Sequence, residues 1–299
     1  MAEQTENEAR PVRRPRWRSW LRLTILGTVL TFAGLIVGNG GLPEFELFPR
    51  TEGISEADSR HLDEIKKLGG EANFMERTPK FLGVFGGRDL LYYTFRGKRF
   101  DDDALARFVK VYGDRVWGLA LVDTSVTDAG LRHLSGLPHI HDLALGSADP
   151  LPGSAPLPTQ ITDAGLVHLK GITSLRVLRL GDLPITDAGL DAIKDLPNVG
   201  GLYLWGTKVQ GAGLGRLKSL PALAVLYLDR SAVTEEALSH LKGATNLQML
   251  SLRGVPLTGR GLTYLTLLPK LKQLDINNCG PGFEDIDDFQ VACPAVKLE

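Results

Sequence analysis

The feature that most constrains this chain is a repeat. From Ile161 onward a 24-residue unit is written five times without drift, beginning at Ile161, Ile185, Val209, Val233 and Leu257. One such unit cannot bury its own apolar face, so a fixed period of this length commits the chain to a solenoid in which neighbours share a continuous core. Spacing inside the unit gives its shape. In the third copy Leu214, Leu217 and Leu220 recur every third residue, which suits one side of a short α or 3₁₀ helix. Leu226 and Leu228 alternate, which suits a strand with both side chains on one face. Each unit is therefore expected to be helix, turn, strand, turn.

The start of the helix carries its own signal. Thr162, Thr186, Thr234 and Thr258 are placed to act as N-caps. Asp163, Asp187 and Glu235 follow them at the positive end of the helix dipole. Ile185 and Leu190 are spaced for a hydrophobic staple. These regular polar residues are read as structural.

The strand segment Leu247-Gln-Met-Leu250-Ser-Leu252-Arg-Gly-Val-Pro-Leu257 resembles a leucine-rich repeat, and the TDAGL start, Thr186 to Leu190, resembles a short bacterial subclass of that family. The resemblance implies an α/β solenoid with a parallel sheet on the concave face, short helices on the convex face, and a role as a recognition scaffold. The sequence departs from the family in the turn after the strand. The position usually held by Asn or Cys reads Leu183, Thr207, Ser231, Val255 and Cys279, so only the last keeps the usual residue, which implies an incomplete side-chain ladder and a less rigid edge.

The chain has 299 residues and a net charge of −1, so no global attraction to nucleic acid is expected. The charge is unevenly placed. Arg10, Arg13, Arg14, Arg16 and Arg18 precede an apolar stretch, Leu21 to Gly38, and Arg22 stands at its start. As a helix it would span roughly 27 Å, at about 1.5 Å per residue, close to a bilayer core of about 30 Å. Trp17 and Trp20 sit where interfacial aromatics belong. The reading is a basic cytoplasmic tail over residues 1–20, a single transmembrane helix over 21–38, a linker over 39–54 and a repeat domain over 55–299 outside the cytoplasm. A cleaved signal peptide is the competing reading.

Within the repeat domain, Ser55 to Leu68 reads as a capping helix, and two weak strands follow between Ala72 and Arg99. Tyr93 and Phe95 lead into Phe100 as a degenerate first unit, and Leu105, Phe108, Leu119 and Leu121 mark the core of the next. Val126 opens a clear repeat, interrupted between Leu145 and Ile161 by 11 extra residues that include Pro150, Pro152, Pro156 and Pro158. Ile286, Phe289 and a strand over Val296 to Leu298 are expected to close the C-terminal end.

Nothing in this pattern carries catalysis, a cofactor or a metal site. His133, His168 and His240 share an outward position of the repeat, and His139 with His141 near Asp142 lacks a third donor. Gly211-Ala-Gly213-Leu-Gly215 falls at a helix start, where close packing of units explains it better than phosphate binding. The informative residues are those between the strand leucines, which point onto the concave face. One row reads Thr94, Ala120, Ala144, Arg179, Tyr203, Tyr227, Ser251 and Asp275; the next adds Val122, Gly146, Gly181, Trp205, Asp229, Arg253 and Asn277. The first half is bland. The second gathers Arg179, Tyr203, Trp205, Tyr227, Asp229 and Arg253, residue types enriched at binding hot spots. The expected function is a membrane-anchored scaffold for a protein or peptide partner; the alternative is a structural envelope or adhesion component without a discrete site. Cys279 and Cys293 fall in a turn and at a helix end, too far apart in the unit for a disulfide, so two separate buried thiols are expected.

Overall fold

A sheet that receives one strand from each stacked unit is the arrangement the repeat demands, and the computed structural model shows it. The structure describes residues 63–68, 70–73, 91–146, 160–280 and 286–298. The chain divides into two units, Met1–Leu47 and Phe48–Glu299, and all described residues belong to the second. The apolar stretch Leu21 to Gly38, the linker and the proline-bearing part of the insertion lie outside the described residues. Among those described, no helix is long and apolar enough to cross a membrane.

Ten strands form one sheet in chain order: β1 (Gly70–Asn73), β2 (Leu91–Arg96), β3 (Val116–Val122), β4 (Asp142–Ala144), β5 (Val177–Arg179), β6 (Gly201–Tyr203), β7 (Val225–Tyr227), β8 (Met249–Ser251), β9 (Gln273–Asp275) and β10 (Lys297–Leu298). β1 pairs antiparallel with β2, and every later pair is parallel. A short α or 3₁₀ helix joins each strand to the next from β2 to β10.

The strand leucines stand in register as the sequence requires. Leu119, Leu143, Leu178, Leu202, Leu226, Leu250 and Leu274 are successive partners, all fully buried. Tyr93 occupies the same slot in β2, and with Phe95, Phe100 and Phe108 it packs an aromatic plug under the first unit. Bulky rings fill there the space that leucines fill elsewhere. Residues 63–67 are helical, within the expected cap, and Glu64 accepts a hydrogen bond from the Tyr112 hydroxyl. At the other end Phe289 and Val296 are buried, and β10 continues the sheet.

The recurrent Thr-Asp-Ala-Gly motif is explained by contacts between units rather than within one. Thr186 donates its N–H to Asp163 Oδ1 at 2.9 Å and its hydroxyl to Oδ2 at 2.5 Å. Thr162 binds Asp128 in the same way, at 2.7 Å for both bonds, and Thr127 binds Asp102 at 2.8 and 2.6 Å. Each aspartate thus receives the threonine of the next unit, and that threonine in turn caps its own helix: Ala164 N–H lies 3.3 Å from Thr162 Oγ1 and Ala188 N–H 3.2 Å from Thr186 Oγ1. The glycine makes room. A Cβ on Gly189 would run into the Asp163 carboxylate, and one on Gly165 into that of Asp128. The acids were expected to serve the helix dipole; their main partner is the neighbouring unit.

Two of the four expected caps differ. Thr258 makes no cap bond and gives its hydroxyl to Glu235. The preceding unit carries Gly211 where others have aspartate, so Thr234 has no carboxylate to bind, and the next helix starts at Glu236 without a side-chain cap. Asp187, lacking a threonine opposite, accepts instead from the N–H groups of Gln210 and Gly211.

The turns after β5 to β9 are also closed, although the family's usual residue is present only as Cys279. Thr207 and Ser231 return their hydroxyls to the carbonyls of Leu204 and Leu228, at 2.7 and 2.6 Å, and the Cys279 thiol contacts the Leu252 carbonyl. Leu183 and Val255 are apolar there and fully inside the core. One position of this turn is left-handed in unit after unit: Asp123, Asp182, Gly206, Arg230, Gly254 and Asn278 all have φ between 51° and 67°.

Candidate functional site

The alternation of the strands places three rows of side chains on the concave face. The middle row is the expected one: Thr94, Ala120, Ala144, Arg179, Tyr203, Tyr227, Ser251 and Asp275 are successive cross-strand partners. At its centre a continuous stack forms. The Arg179 guanidinium lies 5.1 Å from the centroid of the Tyr203 ring, and Tyr203 stacks on Tyr227 at 4.7 Å and 11°. Trp205 meets Tyr203 edge-on, 5.4 Å away at 83°. Such contacts add about 0.5–1.5 kcal/mol per aromatic pair beyond the area they bury.

The stack is anchored by Asp142, which the sequence reading named only beside His139 and His141 and not among the concave rows. Arg179 Nη1 pairs with Asp142 Oδ1, and both side chains are buried. Burial pushes the Asp142 carboxyl up, opposed by the guanidinium beside it. For Arg179 burial acts against the charge, and Asp142 outweighs it, so the guanidinium stays protonated. Asp142 stands one row before the middle row, opposite Val177, and 37 positions from Arg179, so a reading of the middle and following rows does not pair them. Extending the alternation one step back from Ala144 would have found Asp142.

That earlier row also corrects the expectation of a bland first half. Tyr92 is buried on the concave side with Ala120, Val122 and Ala144, and Trp117 packs against them. A Cβ on Gly118 would collide with the Tyr92 ring, so the glycine is the bed of that aromatic. Gly181 serves Trp205 in the same way. Trp117 stacks on His141 at 5.9 Å and 6°. His141 Nδ1 lies 2.6 Å from the His139 carbonyl, and burial lowers its pKa. Asp142 is taken by Arg179, so His139, His141 and Asp142 do not converge. His133 and His168 are half-buried and His240 is exposed.

Beyond the stack lies a polar network on β7 to β9 and the turns after them. Asp229 Oδ1 accepts from the Ser251 hydroxyl at 2.5 Å and from the Arg253 N–H at 2.9 Å. Arg253 Nε pairs with Asp275 Oδ2, while Asp275 Oδ1 accepts from both Asn277 nitrogens at 3.1 and 3.0 Å. Asp229 Oδ2 and Trp205 Nε1 are buried without a hydrogen-bond partner. Burial pushes the Asp229 carboxyl up against its donors, and pushes the Tyr203 hydroxyl up to about 12.

The six residues singled out from the sequence are therefore together, but not equally available. Arg179, Tyr203, Trp205 and Asp229 are buried, at 6%, 4%, 2% and 2% exposure. They brace the sheet, because bulky side chains on strands this close cover one another. Tyr227 is half-buried and Arg253 exposed, and the accessible ground continues through Met249, Gln273 and Asn277. Ala144, expected on the concave face, and Val225, one row back on β7, are buried as well. Among the described residues no group of three His, Cys, Asp or Glu side chains is placed to hold a metal ion.

No family model matches the chain, and no curated protein matches it in sequence. Among solved structures it is similar to internalin C2 from Listeria monocytogenes str. 4b F2365, with 22% identity and a TM-score of 0.45 over 73% of this chain and 83% of that one.

Proposed function

We propose that this leucine-rich-repeat solenoid is the binding domain of a membrane-anchored protein, and that it takes a protein or peptide partner on the concave face between β7 and β10. The observation that carries the reading is the division of labour on that face. Arg179, Tyr203, Trp205 and Asp229 are locked in the sheet, and Tyr227 and Arg253 stand at the accessible end of what they brace. Aromatic and Arg side chains held rigid before binding lose little freedom when a partner arrives, which is how a few residues carry most of an interface. The reading is one of binding rather than catalysis, with no cofactor and no nucleic-acid partner. The anchor is Leu21 to Gly38, with the arginines before it in the cytoplasm and the repeats outside.

The test uses the full-length chain in its native membrane. Carbonate extraction is expected to leave it in the pellet; a soluble form beginning near residue 40 would instead identify a cleaved leader. Crosslinking in the same membranes is expected to trap a discrete partner, and Tyr227→Ala to weaken its capture at least several-fold while the repeat domain stays folded. A partner set indifferent to Tyr227→Ala and to Arg253→Gln would favour the structural envelope or adhesion role.

A further inference from the structure

The concave face between β7 and β10 sorts its charges by depth. Its two acids, Asp229 and Asp275, are each 2% exposed and spend their oxygens inside the sheet. Its cations are outside. Arg253 has half of its side-chain surface in solvent, and Lys297, in register with Gln273 on β10, is exposed. Lys272 adds a further exposed cation at the rim of the same strands. A partner approaching this ground meets the cations first, and the two buried acids offset only two of the three positive charges in the formal count.

Arg253 is held in a particular way. Its backbone N–H is tied to Asp229 Oδ1 at 2.9 Å, and its Nε is tied to Asp275. The backbone and the guanidinium are thereby each held by a buried carboxylate. Among the described residues no acceptor engages its two Nη groups. An Arg whose Nε is already committed presents those remaining donors as a planar pair, the geometry that suits a carboxylate. Tyr227, on the neighbouring strand, supplies an aromatic wall whose far side is sealed by Tyr203.

We infer that the segment bound between β7 and β10 is an acidic peptide stretch of the partner, and that Arg253 holds one of its carboxylates. This rests on the concave-face reading and adds the chemistry of the partner. Capture is governed by opposite charge at an exposed site, so it weakens as salt screens it.

The test is selection of a random dodecapeptide display library on the immobilised full-length chain, in parallel with Arg253→Gln, Lys272→Gln and Tyr227→Ala. Selected peptides are expected to be enriched several-fold in Asp and Glu over the naive library, and their binding to fall on raising the salt. The enrichment is expected to vanish with Arg253→Gln and to shrink with Lys272→Gln, an exposed substitution that leaves the Asp275 pair intact and so separates charge from folding. Enrichment in Lys and Arg, no charge bias, no enriched peptide at all, or acidic enrichment that survives Arg253→Gln in a folded variant would each overturn the inference. Peptides lost with Tyr227→Ala but without acidic bias would sink this inference and leave concave-face binding standing. Peptides indifferent to all three substitutions would remove both.

Discussion

Asp229 shows how much one buried atom decides. Its Oδ1 is doubly satisfied, whereas Oδ2 is buried without a donor, so ionisation is resisted and the folded pKa lies above the ordinary 3.8. A carboxyl raised in the folded state favours folding while it is protonated, and that advantage is lost as pH rises from the ordinary value through the folded one. Asp229→Asn keeps an oxygen for Ser251 and Arg253. It is expected to leave the protein more stable than wild type at pH 7, and to remove part of the stability loss on going upward from pH 4. Urea unfolding at several pH values reads this out; a variant less stable at pH 7 would show that the charge is satisfied after all. Tyr203 makes the complementary point. Lying between Arg179 and Tyr227, it is expected to cost about 3–5 kcal/mol on truncation to alanine, as for other buried aromatics. Tyr227→Ala, at the open end of the stack, is expected to cost clearly less.

At the scale of the element, the unit is defined by its junction with the next. Asp163 and Gly189 meet there, the carboxylate lying where a Cβ on the glycine would go. Alanine is the better helix former by roughly 1 kcal/mol, so propensity alone predicts that Gly189→Ala stabilises. The junction predicts the opposite, with a loss of about 1–3 kcal/mol that Asp163→Ala partly relieves, giving a coupling above 0.5 kcal/mol in a double-mutant cycle. Additive effects would mean that the motif works within one unit only. In the strand, Leu226→Ala is expected to cost about 2–5 kcal/mol. Val225→Ala, on the concave side yet buried, removes fewer methylene groups and should cost roughly 1–2 kcal/mol rather than nothing.

Among the described residues the main core runs as a continuous cluster from Ile65 to Val296; Cys279 belongs to its last part and Cys293 packs against it. They are free, as the repeat register required. Cys279 is buried, and burial raises its thiol to about 11; Cys293 is only half-buried, which departs from the expectation of two buried thiols. Titration of the denatured, unreduced chain is expected to count two thiols. In the native protein Cys293 should react first and Cys279 only on the timescale of unfolding. Equal rates would mean that the C-terminal units open together.

By itself the sequence determined the solenoid, the pairing of Leu119 through Leu274, the middle row of the concave face and the separation of the cysteines. Each follows from a period of 24 and an alternation of two, which are local and survive in the letters. Only the tertiary structure decided which of those residues a partner can reach. Burial of Tyr203, Trp205 and Asp229 depends on side chains one strand away, and the anchor of Arg179 reaches it diagonally from a row of the face one step earlier on the neighbouring strand. The role of the Thr-Asp-Ala-Gly motif was hidden for the same reason. Its letters repeat within a unit, but the hydrogen bonds that use them cross to the next, and a chain read in one dimension does not show which neighbour a side chain faces.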